Sequence, residues 1–200
     1  MTRLPLLSFK SPQQPFPEQE CYRLWDVYQM PEHIRAHSIK VALFASRLAR
    51  RALHCEPELD LRVEDVCACA LLHDIAKYYT LLYGGSHAQI GAAWLVAETG
   101  RRDLAQGVIH HVYWPWEIAD SEVCSLPLLV MYADKRTMHN GFVTLHDRFK
   151  DLLGRYGVNT YARLRIAMAH QQVLELENAL AARLRMDLNA YTPDSGGLVK

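Results

Sequence analysis

The spacing of apolar residues predicts a chain built almost entirely of α-helices. In the longest early segment, from about Pro31 to Leu53, apolar side chains recur at intervals of three and four residues, which places them on one face of a helix. The stretch from Cys67 to Leu72 carries no charge and therefore predicts the most buried helix. The sequence shows neither an internal repeat nor a sustained strand-like alternation. We therefore predict an all-α helical bundle.

The predicted helices are Glu18–Tyr28, Pro31–Leu53, Val63–Tyr79, His87–Glu98, Asp103–His111, Leu126–Lys135, Val143–Tyr156 and a long C-terminal helix from Thr160 to about Leu188. Ser86 is a suitable N-cap residue, and Gly100 is a suitable helix terminator. Leu126–Tyr132 is short enough to fit a strand as well. Residues 1–17 hold four prolines and predict an extended arm, residues 18–190 a single domain, and residues 191–200 a flexible tail.

The bulk composition limits the range of functions. Lys+Arg and Asp+Glu both number 22 among 200 residues, so the chain lacks the basic excess of a general nucleic-acid binder. Any charge that recognises phosphate must therefore be local. No apolar run approaches the ~20 residues that span a bilayer, and no signal-peptide core is visible. We expect no membrane association and a cytoplasmic location, with the five cysteines as reduced thiols.

Four polar residues interrupt the apolar helices. His37 lies within the predicted helix Pro31–Leu53, His73 and Asp74 follow the uncharged stretch, and Asp134 follows another uncharged run. Burying such groups without partners is costly. Two imidazoles and two carboxylates form a mixed nitrogen and oxygen donor set that suits transition metals, and a helical bundle can project such ligands inward.

The order His37, His73-Asp74, Asp134 resembles the HD superfamily of metal-dependent phosphohydrolases. The run from His73 to Lys77 is similar to the His-Asp-Ile-Gly-Lys form found in many members, and the resemblance covers roughly residues 31–156. It implies an all-α HD-domain bundle. It also implies hydrolysis of phosphate esters, most often in nucleotides.

Further histidines refine the resemblance. His87 and the pair His110-His111 fall where part of the superfamily binds a second metal. The run from Ser86 to Ala92 resembles bacterial symmetrical hydrolases of diadenosine tetraphosphate, whereas the label motif of the HD-GYP phosphodiesterases is absent. By spacing, His111 fits the second site better than His110, although paired histidines can both bind.

The resemblance also suggests roles for individual residues. We expect attack on phosphorus by a metal-bound hydroxide, with Asp74 as the bridging ligand. Lys77 is a candidate to contact a substrate phosphate in catalysis, and pairing with a nearby acid is an equal alternative. Lys135 and Arg136, which follow Asp134, are candidates either for substrate binding or for neutralising local carboxylates. Trp114, whose ring suits a nucleobase, is a third substrate-binding candidate. The loop around Trp114 equally suits covering the core.

We therefore predict a metal-dependent phosphohydrolase that acts on a small nucleotide or dinucleotide. The expected cofactor is one or two divalent transition metals per chain, with Fe or Mn favoured and Zn, Co or Ni also compatible. A di-iron HD-type oxygenase and a non-catalytic, metal-stabilised nucleotide sensor remain as alternatives. The long C-terminal helix is compatible with a homodimer.

Overall fold

The computed structural model describes residues 14–138 and 141–188. Within these ranges the chain is an all-α helical bundle, as predicted, and also contains one very short hairpin that was not predicted. The helices are α1 (Glu18–Val27), α2 (Glu32–Cys55), α3 (Val63–Leu72), α4 (Lys77–Tyr83), α5 (His87–Thr99), α6 (Arg102–His110), α7 (Leu126–Lys135), α8 (Leu145–Tyr156) and α9 (Thr160–Leu184). The hairpin pairs β1 (Thr137–Met138) with β2 (Gly141–Phe142) in antiparallel fashion.

The centre of the bundle is formed by α2 and α3. Helix α2 packs against α3 and α7. Helix α3 also contacts α6, and α6 in turn contacts α5. Helices α8 and α9 pair with each other, and α9 also contacts α2 and α7. The buried apolar residues of α9 lie in its second half, at Val173, Leu176, Leu180 and Leu184, with the three- and four-residue spacing of a core-facing stripe. In the first half of α9, the His170 ring stacks on Phe149 of α8, with the ring centroids 4.3 Å apart.

The single helix predicted over Val63–Tyr79 is wrong, because the structure divides it into α3 and α4. Turns occupy residues 73–76 between the two helices. Hydrogen bonds that span only three residues close these turns, from the Ile75 N–H to the Leu72 carbonyl at 3.1 Å and from the Lys77 N–H to the Asp74 carbonyl at 2.9 Å. The break places the His-Asp pair at a corner between two helices.

Several predicted boundaries are confirmed. Leu126–Lys135 is a helix rather than a strand. Ser86 caps α5 by accepting a hydrogen bond from the Gln89 N–H at 3.4 Å, and Gly100 ends α5 with a φ of 68°, a left-handed conformation that favours glycine. Helix α9 is shorter than predicted and ends at Leu184.

The N-terminal arm packs on the body where the structure describes it. The Phe16 N–H donates to Asp65 Oδ1 at 2.8 Å, and the Phe16 ring is buried. The predicted tail at 191–200 and most of the arm lie outside the described residues. No described helix combines the length and apolar character needed to cross a bilayer.

Candidate metal centre

Five different helices or their ends contribute the candidate ligands. His37 lies in the middle of α2, His73 and Asp74 lie in the turn after α3, and His87 begins α5. His111 follows the last residue of α6, and Asp134 lies in the last turn of α7. All of them except His87 are buried, and His87 is half-buried. The fold thus gathers side chains that are as far apart in sequence as residues 37 and 134.

The first group of ligand atoms belongs to His37, His73 and Asp74, whose donor atoms all lie within 4.8 Å of one another. Asp134 joins this group through Oδ1, which lies 3.1 Å from His37 Nε2 and 3.7 Å from His73 Nε2. Two imidazoles and two carboxylates therefore converge on one point. This is the mixed donor set that suits a transition metal.

A second group shares Asp74 with the first. It consists of Asp74, His87 and His111, again with donor atoms within 4.8 Å of one another. His87 Nε2 and His111 Nε2 lie 3.4 Å and 3.6 Å from Asp74 Oδ1, whereas His73 Nε2 lies 3.4 Å from Asp74 Oδ2. The two oxygens of Asp74 thus face different groups, which is the arrangement expected of a carboxylate that bridges two ions.

Backbone carbonyls orient two of the imidazoles. His73 Nδ1 donates to the Ala70 carbonyl at 2.7 Å, and His111 Nδ1 donates to the Val108 carbonyl at 2.6 Å. A carbonyl oxygen only accepts, so each Nδ1 carries the ring proton and each Nε2 keeps its lone pair when the ring is neutral. Such bonds are typical of the partners that orient metal-binding histidines.

Unsatisfied buried atoms support a cation at this point. His73 Nε2 and Asp74 Oδ1 are both buried, and neither has a hydrogen-bond partner among the described residues. Buried polar atoms are almost always paired in folded proteins. A divalent cation in the first group would satisfy His73 Nε2, and one in the second group would satisfy Asp74 Oδ1, so the residues present fit a metal.

The surroundings of the candidate ligands keep the two carboxylates charged and the His87 imidazole neutral, which are the forms that bind a metal. Burial alone would raise the pKa of Asp74, but His73 and Lys77 hold it well below its ordinary value. Burial likewise opposes ionisation of Asp134, but Lys135 and His37 keep its pKa well below its ordinary value. Both carboxylates are therefore ionised. Burial, reinforced by His111, lowers the pKa of His87 to about 4, so its imidazole is neutral.

The centre opens into a cavity of about 640 Å³. Its walls carry five cationic side chains, those of Lys77, Lys135, Arg148, Arg155 and Arg165. Apolar side chains, among them Leu81 and Ile166, line part of the remaining wall. Because formal net charge over the whole sequence is zero, this concentration of positive charge is a local feature. It suits an anionic ligand with an apolar portion.

Lys77 and Lys135 each contact one of the two candidate carboxylate ligands. Lys77 Nζ donates to Asp74 Oδ2 at 2.6 Å, and Lys135 Nζ donates to Asp134 Oδ2 at 2.6 Å and to the His111 carbonyl at 3.1 Å. Both lysines line the cavity, so the structure brings these two predicted substrate-binding residues to the candidate ligands.

The structure does not bring His110 to the centre. Its ring lies against Trp114 and Trp116, with centroid distances of 5.3 Å and 5.1 Å. His111, the next residue, occupies the metal group instead. The geometry therefore favours His111 over His110 as a candidate ligand, because the His110 ring packs against Trp114 and Trp116.

Two predicted substrate contacts also lie elsewhere. Trp114 is only 2% exposed, and Gln172 fixes its loop by accepting from the Trp114 N–H and donating to the Trp114 carbonyl. Its ring is therefore not available to stack on a base.

Arg136 is buried on another side of α7, where it donates to Glu177 Oε2 at 3.0 Å and to the Leu188 carbonyl at 2.8 Å. It stabilises α9 rather than lining the cavity.

Sequence reasoning missed several cavity residues. Arg148 and Arg155 come from α8 and Arg165 from α9, where an arginine on a helix has no pattern that distinguishes it from an ordinary surface residue. His33 is exposed but also lines the cavity. Its position in the sequence, one turn before His37, was the signal that could have indicated a place at the cavity.

Comparison with known proteins gives one match. The family model described as HD domain matches residues 34–139, a segment that contains every candidate ligand. Comparisons with curated proteins and with solved structures gave no significant match. Because the matched segment exceeds half of the chain and carries the ligand set described above, the protein belongs to the HD domain family.

Proposed function

We propose that this protein is a metal-dependent phosphohydrolase that cleaves a small nucleotide or dinucleotide. The observation that carries the proposal is the position of Asp74, which belongs to two ligand groups at a cavity that holds five cationic side chains. A metal in these groups would lower the pKa of bound water and neutralise charge on the phosphoryl oxygens. Donor chemistry alone leaves Fe, Mn, Zn, Co and Ni as candidates, of which we favour Fe or Mn.

The two lysines support binding of an anionic substrate. Lys77 and Lys135 each contact a carboxylate that belongs to the candidate centre. When those carboxylates bind a cation, their charge is shared between the cation and the lysine. Each ammonium group can then also donate to a phosphate oxygen in the cavity, which both lysines line.

The cavity also favours a substrate with an organic portion. Its volume of about 640 Å³ falls within the usual range of small-molecule sites. Leu81, Phe149 and Ile166 provide apolar contact area beside the cations. A dinucleoside polyphosphate is our first candidate and a mononucleotide our second, because the run from Ser86 to Ala92 resembles symmetrical dinucleoside tetraphosphate hydrolases.

The first experiment measures metal identity and stoichiometry per chain, on protein purified anaerobically without chelator or added metal. The same preparation is then assayed with diadenosine tetraphosphate and with mononucleoside 5′-phosphates. Two metals per chain and cleavage of diadenosine tetraphosphate into identical halves are the expected results. One metal with mononucleotide cleavage alone would favour a simpler nucleotidase.

Other outcomes would replace the proposal. Two irons with oxygen consumption and no phosphate release would indicate the oxygenase. No metal after reconstitution, together with nucleotide binding without turnover, would indicate a sensor. The cytoplasmic location and the homodimer remain predictions, and gel filtration with light scattering tests the latter.

A further inference from the structure

Arg148 is an unusual residue of the cavity. It lies on α8, beyond the segment that the family model matches, and its side chain lines the cavity. It is only 7% exposed. Arginine is seldom buried to this extent unless its charge is closely paired, so the contacts of its guanidinium group decide what it does.

The guanidinium group of Arg148 is incompletely paired. Its Nε is buried and has no hydrogen-bond partner in the part of the chain that the structure describes. Nη2 lies 3.7 Å from Asp134 Oδ1, and Nη1 lies 3.6 Å from Asp151 Oδ2. Both distances exceed those of a hydrogen bond. Asp134 is moreover engaged by Lys135 at 2.6 Å, so Arg148 retains donors for another acceptor.

The other cations of the cavity are differently placed. Lys77 and Lys135 each donate to a carboxylate at 2.6 Å. Arg155 donates to both oxygens of Asp151. Arg165 lies over the Tyr113 ring, 4.5 Å from its centroid, and is exposed, so water can satisfy its donors. Among these five, Arg148 alone combines burial with unsatisfied donors.

Arg148 also lies next to the candidate ligands. Asp134 Oδ1, the atom that Nη2 approaches, is 3.1 Å from His37 Nε2 and 3.7 Å from His73 Nε2. A phosphoryl group held at that centre would lie beside the guanidinium group, whose planar fork matches two phosphate oxygens. We propose, on the basis of the function proposed above, that Arg148 binds the phosphoryl group that is hydrolysed.

The test compares Arg148→Met and Arg148→Lys with wild type and with Lys150→Met. Lys150 lies on the same helix but is exposed, so its substitution removes the same charge away from the centre. Metal content is measured first. Binding of inorganic phosphate to the metal-loaded full chain is then measured by calorimetry, and hydrolysis of bis-p-nitrophenyl phosphate is measured in parallel.

We expect Arg148→Met to bind metal as wild type does and to weaken the phosphate Kd by about ten- to a hundredfold, as is typical of a lost charged hydrogen bond. Arg148→Lys keeps the charge but lacks the fork, and should show an intermediate Kd. Lys150→Met should match wild type. If Arg148→Met does not fold, a wild-type phosphate Kd in Arg148→Lys overturns the proposal.

Two results would reject this role for Arg148. One is an unchanged phosphate Kd in Arg148→Met. The other is a loss of metal with unchanged phosphate affinity per loaded centre, which would show that Arg148 only neutralises Asp134. Failure of the proposed function looks different: wild type would bind phosphate through Arg148 yet release no product from any phosphate ester.

Discussion

His87 Nε2 lies 3.1 Å from His111 Nε2, although the two residues stand 24 positions apart. Burial lowers the pKa of both imidazoles, so both are neutral at physiological pH. Two ligands of one ion, with bonds of about 2.1 Å, stand roughly 3 Å apart. The pair therefore has the spacing of two ligands on one cation, with Asp74 Oδ1 as the third.

The first prediction separates His111 from its neighbour. If two ions bind per chain, as proposed, His111→Ala should reduce the metal content to one, because it removes a candidate ligand of the second group. His110→Ala should retain both ions, because the His110 ring packs on Trp114 and Trp116. Elemental mass spectrometry of the anaerobically purified variants measures the difference in metal content. A greater loss of metal from His110→Ala would reverse the assignment.

Asp74 should be the most sensitive position in the centre. Because it belongs to both ligand groups, Asp74→Ala should lose both metals and all turnover, while far-UV circular dichroism stays close to that of wild type. Glu64→Ala, which removes an exposed carboxylate from the start of α3, serves as the control and should retain both metals. An Asp74→Ala variant with full metal content and activity would contradict the site.

The clustering of these polar side chains could be predicted from sequence because they interrupt apolar runs, whereas their role as metal ligands stays a prediction. His73, Asp74 and Asp134 are all buried, and each stands beside a stretch without charge. The break between α3 and α4 could not be predicted, because neither glycine nor proline marks residues 73–76. Helical propensity continues through the break, so tertiary contacts must override it.

The cationic side chains that line the cavity were harder to predict from the sequence than the candidate metal ligands. Arg136 lies near Asp134 in sequence, but it follows the last residue of α7 and contacts Glu177 instead of lining the cavity. Arg148 is distant in sequence from every ligand and reaches the cavity only because of how α8 packs. Its orientation depends on contacts between helices, which local sequence patterns do not encode.

The buried ion pair between α7 and α9 should be important for stability. Glu177 Oε2 accepts from Arg136 at 3.0 Å and from the Tyr132 hydroxyl at 2.6 Å. Glu177→Ala would leave the Arg136 charge buried without its counterion, which typically costs about 3–5 kcal/mol of unfolding free energy. Urea denaturation measures the change.

Glu175→Ala is the matched control for that experiment. Glu175 is exposed on the same helix and accepts a hydrogen bond from Gln171, so its removal should change stability by no more than about 0.5 kcal/mol. Equal stabilities of Glu175→Ala and Glu177→Ala would show that the ion pair with Arg136 contributes little.

A close approach of α6 to α3 predicts the last effect. A Cβ atom at Gly107 would collide with Cys69 Sγ and would lie 2.7 Å from Leu126 Cδ2. Gly107→Ala should therefore destabilise the protein by about 1–3 kcal/mol, the usual cost of overpacking.

Gly154→Ala in α8 is the control, because no heavy atom lies within 4 Å of its added Cβ. That change should stabilise the helix by roughly 0.5–1 kcal/mol. Urea denaturation of both variants measures the two effects, and a Gly107→Ala variant as stable as Gly154→Ala would disprove the close packing of α6 on α3.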